Sequence, residues 1–351
     1  MAANLTTVAI STRKVIRYGV LFVVLMIVAR AIIGLGVKVY TAVVPKPTAP
    51  PTAKFGPLPA LPFPSPTQEL PALTINVETA TGKLPKFATQ AKVYYMPPYA
   101  TTLFSFDNAQ KEAKALGFAG SPLQLSDTLY RFTSTEVPAT LELNIVTNAF
   151  SISYNLAANP APLSQVAPTP NAAVQQAKQL LGSANSLPAD ISDGPTSSEF
   201  LRVEGQNLVR ALSLSDSNFV RVNLFRHNYD DLPAVTADPN KATIWFIMSA
   251  ATNRGKNVIA AQYRYYPIDE KKFETYPIKT AAQALEDLKN GKGYIASLGI
   301  NKDGNVTIRD VSMGYFDSDN QMQFYQPVYV FKGDRDFVAY VPAVSDQFYG
   351  K

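Results

Sequence analysis

A chain of 351 residues with 46% hydrophobic and 17% charged residues has the balance of a folded protein and enough length for one large core or two ordinary ones. Its pI near 9.1 suggests nucleic acid only until the charges are located. Residues 1–46 carry six basic residues and no acidic one, against +5 for the whole chain, which leaves −1 for residues 47–351. That body offers no phosphate-binding surface, and the lack of cysteine excludes disulfides, thiolate metal sites and cysteine nucleophiles.

Read in chain order, the first element is "YGVLFVVLMIVARAIIGLGV", residues 18–37. Twenty residues rise roughly 30 Å as a helix, the thickness of a bilayer core. Arg30 interrupts the run at about 2.5–3.5 kcal/mol, and the Leu, Ile, Val and Phe residues outweigh it at roughly −0.3 to −0.6 kcal/mol each. The expectation is a retained transmembrane anchor. Arg13, Lys14 and Arg17 precede it and place a short tail, residues 1–17, inside the cell. Arg30 either snorkels outward or meets a polar group on a neighbouring membrane helix. The alternative is a signal peptide cleaved near Ala29-Arg30-Ala31, which would leave the apolar "IIGLGVKVYTAVV" at a mature N-terminus.

Residues 38–71 read as a proline-rich spacer, with ten prolines between Pro45 and Pro71. Such a stretch forms neither helix nor interior strand and tends to polyproline II. "FGPLPALPFP" is apolar for a spacer, so a second reading docks Phe55, Leu58, Leu61 and Phe63 into a groove of the domain or of a partner.

Beyond the spacer, short strands alternate with three helix signals. The first is "DNAQKEAKALGF", with Asp107 as N-cap, Ala109, Ala113 and Leu116 as the apolar stripe and Gly117 as the stop. The second is "TPNAAVQQAKQLLG", with Thr169 as cap, Pro170 at the first helical position and Gly182 as the stop. The third is "TAAQALEDLKNG", with Thr280 and Gln283 as a capping box, Ala281, Ala284, Leu285 and Leu288 inward and Gly291 as the stop. "LKNGKGY" resembles a phosphate loop, but it follows a helix where a Walker loop opens one. No nucleotide is expected there.

The runs "AKVYYM", "TLYRFTS", "ATLELNIV", "FSISYNL", "NFVRVNLFR", "ATIWFIMSA", "NVIAAQYRYY", "NVTIRDVSMGYF", "MQFYQPVYVF" and "DFVAYVPAV" read as strands. Residues 293–343 suggest a four-strand meander. The expected fold class is α+β: antiparallel sheets, each packed by a short helix. The expected modules are 72–156 and the larger 169–351, joined by a linker at 157–168.

The unit comprising "YPIKTAAQALEDLKNGKGYIASLG", "VTIRDVSMGYF" and "MQFYQPVYVFKGDRDFVAYVPAV" resembles PepSY-like modules, and most of all the YycH/YycI-type extracytoplasmic proteins that accompany sensor kinases. The likeness covers residues 276–343 and, loosely, the helix at 107–118. It implies PepSY-like repeats, a single-pass anchor, and regulation by protein contact without chemistry.

Motifs for chemistry are sparse. His227, the only histidine, reads as a surface residue at a strand end. Asp303, Asn305 and Asp310 hint at calcium, but the glycine spacing of a calcium loop is wrong and a hairpin turn is the better reading. Asp230/Asp231 and Glu286/Asp287 read as solvated charge, and Trp245 as core. No catalytic, cofactor-binding or metal residue is assigned. The expected partners are the lipid bilayer and an envelope or membrane protein, or a second copy of this chain, with no nucleic acid. The function expected is an extracytoplasmic interaction or regulatory module, with a structural component of the envelope as the alternative and a hydrolase as the third reading.

Overall fold

The computed structural model describes residues 5–43, 49–65, 70–100, 102–250 and 256–350. It separates into two compact units, Met1–Pro50 and Pro51–Lys351. The first holds one helix, Leu5–Val43, longer at both ends than the apolar run because no proline intervenes before Pro45. Its segment Ile16–Gly34 has a mean hydropathy of 2.2 and none of it is buried against protein. This one N-terminal helix is long and apolar enough to cross a membrane.

The second unit is α+β and built mostly of sheet. A nine-stranded antiparallel sheet runs, in spatial order, Leu123–Gln124, Leu129–Thr133, Ala139–Asn144, Phe150–Tyr154, Val258–Tyr263, Ile244–Met248, Phe219–Leu224, Thr196–Glu204 and Asn207–Arg210. Its register aligns Phe132, Leu141, Ile152, Ala261, Phe246 and Val222 in one buried row. One residue along each strand, Arg131, Glu142, Ser151, Gln262, Trp245 and Asn223 form the opposite row. The strand period of two assigns these rows to opposite faces. Helices Ser105–Ala115 and Pro170–Ser183 cover the apolar face through Ala109, Ala113, Ala173, Ala177 and Leu181. Trp245 is therefore not core. It is half-buried on the polar face, with Lys241 Nζ 4.5 Å from its ring centre.

The six-stranded sheet has the order Thr74–Val77, Asn305–Phe316, Pro327–Gly333, Val338–Pro342 and Tyr294–Ser297, with Ala234–Val235 paired to the far end of Asn305–Phe316. Helix Ala281–Lys289 lies on it through Ala284, Leu285 and Leu288. The third sheet has only three strands, Asp269–Pro277, Gln90–Tyr95 and Phe324–Tyr325.

Several expectations need correction. Residues 293–343 are not a simple meander, because Tyr294–Ser297 pairs with Val338–Pro342. Its place beside Asn305 is taken by Thr74–Val77, which runs parallel, as does Ala234–Val235. Parallel pairing needs a long connection, so short-range turn signals do not reveal it. Gly304 marks the intrusion: its φ is +76° and an added Cβ would lie 2.3 Å from the Ala72 carbonyl oxygen. The helices are not one per sheet either; the nine-stranded sheet carries two.

The boundary at 157–168 falls within a sheet, since Phe150–Tyr154 pairs with Val258–Tyr263. Strands from 72–156 are shared between two halves. Thr74–Val77 and Gln90–Tyr95 join the C-terminal strands, and the strands from Leu123 to Tyr154 join those from Thr196 to Tyr263.

The helix grammar is followed more closely. Thr280 Oγ1 accepts from the Gln283 N–H at 3.2 Å while Gln283 Oε1 accepts from the Thr280 N–H at 2.8 Å. Gly291 stands at φ +73°, in the left-handed conformation that ends the helix. The first helix starts at Ser105, which puts Asp107 inside its first turn instead of at the cap. The second runs through Gly182 to Ser183, and Asn185 takes the left-handed turn at φ +56°.

Candidate functional site

Arg30 lies in the exposed apolar helix and has no ion-pair partner among the described residues. The other four residues singled out from the sequence lie on the second unit. Leu58 is 0% exposed and Leu61 is buried. The Phe55 ring stacks on Phe324 at 4.9 Å, and Phe63 stacks on Tyr294 at 5.0 Å. Backbone bonds hold the segment to the C-terminus: the Leu58 N–H donates to the Phe348 carbonyl at 2.7 Å, and the Gly350 N–H to the Leu58 carbonyl at 2.9 Å. Tyr276 Oη donates to the Gly56 carbonyl and Gln326 Nε2 to the Pro59 carbonyl, both at 2.9 Å. Proline leaves carbonyls unpaired by its neighbours, and these side chains pair them. Residues 51–65 are thus a strap on the folded body. Leu58→Ala is expected to lose about 2–5 kcal/mol and to speed tryptic cleavage after Lys54, read by denaturant titration and timed digestion.

Two polar centres were not singled out from the sequence. The first surrounds Arg226, in "LFRHNYDD", where the two halves of the second unit meet. Arg226 is 1% exposed. Its Nε donates to Asp317 at 3.0 Å, Nη1 to Asp190 at 2.5 Å and Nη2 to the Tyr266 carbonyl at 2.7 Å. Tyr265 Oη and Tyr229 Oη also reach Asp190, and Thr243 Oγ1 reaches Asp317. Burial pushes the Asp317 carboxyl up in spite of Arg226, while the two aspartates keep the guanidinium charged. Beside it, Asp230 is not merely solvated. It accepts from Lys92 at 2.5 Å, Tyr94 at 2.7 Å and Tyr315 at 3.3 Å. His227 is partly exposed, 3.4 Å from Glu270, with its ring edge-on to Tyr229. Asp287 likewise departs from solvated charge, since it is buried and pairs with Lys279 at 2.7 Å. These contacts fasten elements together.

The second centre opens to solvent. A cleft of about 410 Å³ is lined by Asn108, Lys111, Glu112, Ala115 and Asn148 together with Ser183–Ser186. Glu112 is 7% exposed. Ser186 Oγ lies 2.5 Å from Glu112 Oε1 and 3.2 Å from the Ala184 carbonyl oxygen. The hydroxyl has one hydrogen for two acceptors. With an ionised Glu112 the hydroxyl donates to Oε1; a neutral Glu112 would instead donate to Ser186 Oγ and free the hydroxyl hydrogen for Ala184. Burial pushes the Glu112 carboxyl up to about 7, against the opposing bond from Ser186. A sequence signal for it exists: Glu112 falls three residues after Ala109 and four before Leu116, on the apolar stripe, where a charged residue has no structural reason to be. Asp303 accepts from the Asn305 N–H and Nδ2 within its own turn. No group of three metal-ligating side chains is present among the described residues.

No family model and no curated protein matches the chain. Among solved structures it is similar to an uncharacterized protein from Eubacterium rectale ATCC 33656, at 13% identity over 75% of this chain and 85% of that one, with a TM-score of 0.38.

Proposed function

We propose that this chain is a single-pass membrane-anchored module that acts outside the cytoplasm by contact with a protein or peptide and performs no chemistry of its own. The observation that carries the reading is the helix segment Ile16–Gly34, with a mean hydropathy of 2.2 in spite of Arg17 and Arg30 and none of it buried against protein. Such a surface finds its solvent in lipid. The basic residues Arg13, Lys14 and Arg17 on its N-terminal side favour an inside N-terminus. The nearly neutral second unit then meets its partner by surface complementarity. The nine-stranded sheet ends on Asn207–Arg210, an edge to which a partner strand can add. The likeness of residues 276–343 to PepSY-like modules makes a membrane sensor kinase the first partner to test, by analogy.

At the Glu112 cleft a hydrolase would need Glu112 as base to a Ser186 nucleophile, and the hydrogen-bond chain there favours the protonated acid. The structural-component reading relies on Arg30 and the proline segment as contacts to neighbours. Residues 51–65 are occupied with the protein's own body, which leaves Arg30 alone for that task.

In intact cells, protease is expected to digest residues 47–351 without lysis, and cross-linking is expected to give one defined heteromeric product. Protection of the body until lysis, or a ladder of self-adducts, defeats the proposal. Arg30→Leu is expected to weaken cross-linking within the membrane; an unchanged pattern assigns Arg30 to snorkelling.

A further inference from the structure

We propose that the cleft beside Glu112 binds a primary ammonium group, such as a lysine side chain, and that its entry drives the carboxyl proton into solvent. The inference deepens the contact-module reading, on which it rests for the existence of a protein partner; the site itself is testable with a free amine.

The cavity selects the charge of its ligand. Among the described lining residues its one carboxyl is Glu112 and its one cation the exposed Lys111, and the other polar side chains are hydroxyl and amide, from Ser183, Ser186, Asn108, Asn148 and Asn185. Helix Pro170–Ser183 ends at the same wall, so its negative dipole end faces the cavity. An anion placed here meets a carboxyl and a helix C-terminus. A cation finds both favourable, and an ammonium brings three donors to a lining rich in acceptors.

Glu112 itself has no ion-pair partner among the described residues. Lys111 lines the cleft but neighbours Glu112 on the helix, where consecutive side chains diverge. The wall from Ser183 to Ser186 carries no charge. Behind Glu112, burial holds the phenols of Tyr99 and Tyr263 neutral, with Glu112's own charge adding to the effect. The empty site is therefore stable with a protonated Glu112 completing the chain through Ser186 to Ala184. When an ammonium enters, Glu112 ionises, Ser186 turns its hydrogen back to Glu112, and the ammonium takes over the electrostatic balance.

The test is calorimetric titration of the full-length protein in nanodiscs with cadaverine and with Nα-acetyl-lysine amide. Binding near pH 6 is expected to release about one proton, read from buffers of different ionisation enthalpy, and affinity is expected to fall about tenfold per pH unit below 7. Glu112→Gln, which keeps the hydrogen-bond chain, is expected to abolish proton release and weaken binding at least about tenfold. Preference for acetyl-lysine amide identifies a protein side chain as the source, and preference for cadaverine a free polyamine. No heat with either amine, or equal affinity in Glu112→Gln, overturns the site. Amine binding that persists when cross-linking finds no partner overturns the contact-module reading and leaves the site standing.

Discussion

Replacing Arg226 with methionine is expected to destabilise the second unit by about 3–5 kcal/mol. Methionine fills much of the same volume, so the loss comes chiefly from charge. Asp190 and Asp317, 6% and 4% exposed, are left without their cation. A buried ion pair is weak evidence for net stability when intact, but removing one partner alone is costly because the other stays desolvated. The pH dependence discriminates this cause from a packing defect. Asp317 is already pushed up by burial, and without Arg226 it rises further. Protonation then relieves the stranded charge, so the deficit should shrink as the pH is lowered from about 8 toward 5. A cycle with Asp317→Asn is expected to show strong positive coupling in denaturant titrations. A loss below about 1 kcal/mol, or one independent of pH, would mean that the clamp is dispensable.

Glu112→Gln carries the opposite sign. The carboxyl stands at about 7 in the folded protein against 4.5 as the ordinary value. Below both values the two states are protonated and the group contributes nothing. As the pH rises from about 4.5 to 7 the unfolded chain releases its proton first, and stability falls. Above about 7 the deficit levels off near 3 kcal/mol. Glutamine donates to Ser186 as the neutral acid does and has no proton to lose. The variant is therefore expected to match the natural protein near pH 4.5 and to exceed it by about 3 kcal/mol near pH 8. Because other carboxyls titrate in the acid range, the informative quantity is the difference between the two proteins at each pH. A constant difference would show that Glu112 is ionised in the folded state throughout.

What was legible without coordinates is local in origin. The apolar run at 18–37, the capping box at Thr280 and Gln283, the stop at Gly291 and the alternation in "ATLELNIV" each depend on residues within a few positions of one another. Propensity, capping and periodicity act over that range, so these elements formed close to where they were expected. The apolar character of "FGPLPALPFP" was equally visible, although its seat beside Phe348, Tyr349 and Phe324 lies nearly three hundred residues away in the chain.

Contacts between distant segments were not legible. Thr74–Val77 displaces Tyr294–Ser297 from the strand it would join in a meander, and the nine-stranded sheet closes across a stretch that reads as a linker. Register between such strands depends on which apolar face finds cover, and that is settled only when all the segments are present at once. The same holds for charge. Asp190, Arg226 and Asp317 are unremarkable in sequence, and each would be solvated alone; burial of one forces burial and pairing of the others. Short-range backbone and solvent preferences therefore account for the membrane-compatible helix, the α+β class and the ends of the helix Ala281–Lys289. The tertiary structure alone decided the sheet order, the buried ion triad and the cleft around Glu112, because desolvation acts on groups that only the complete fold brings together.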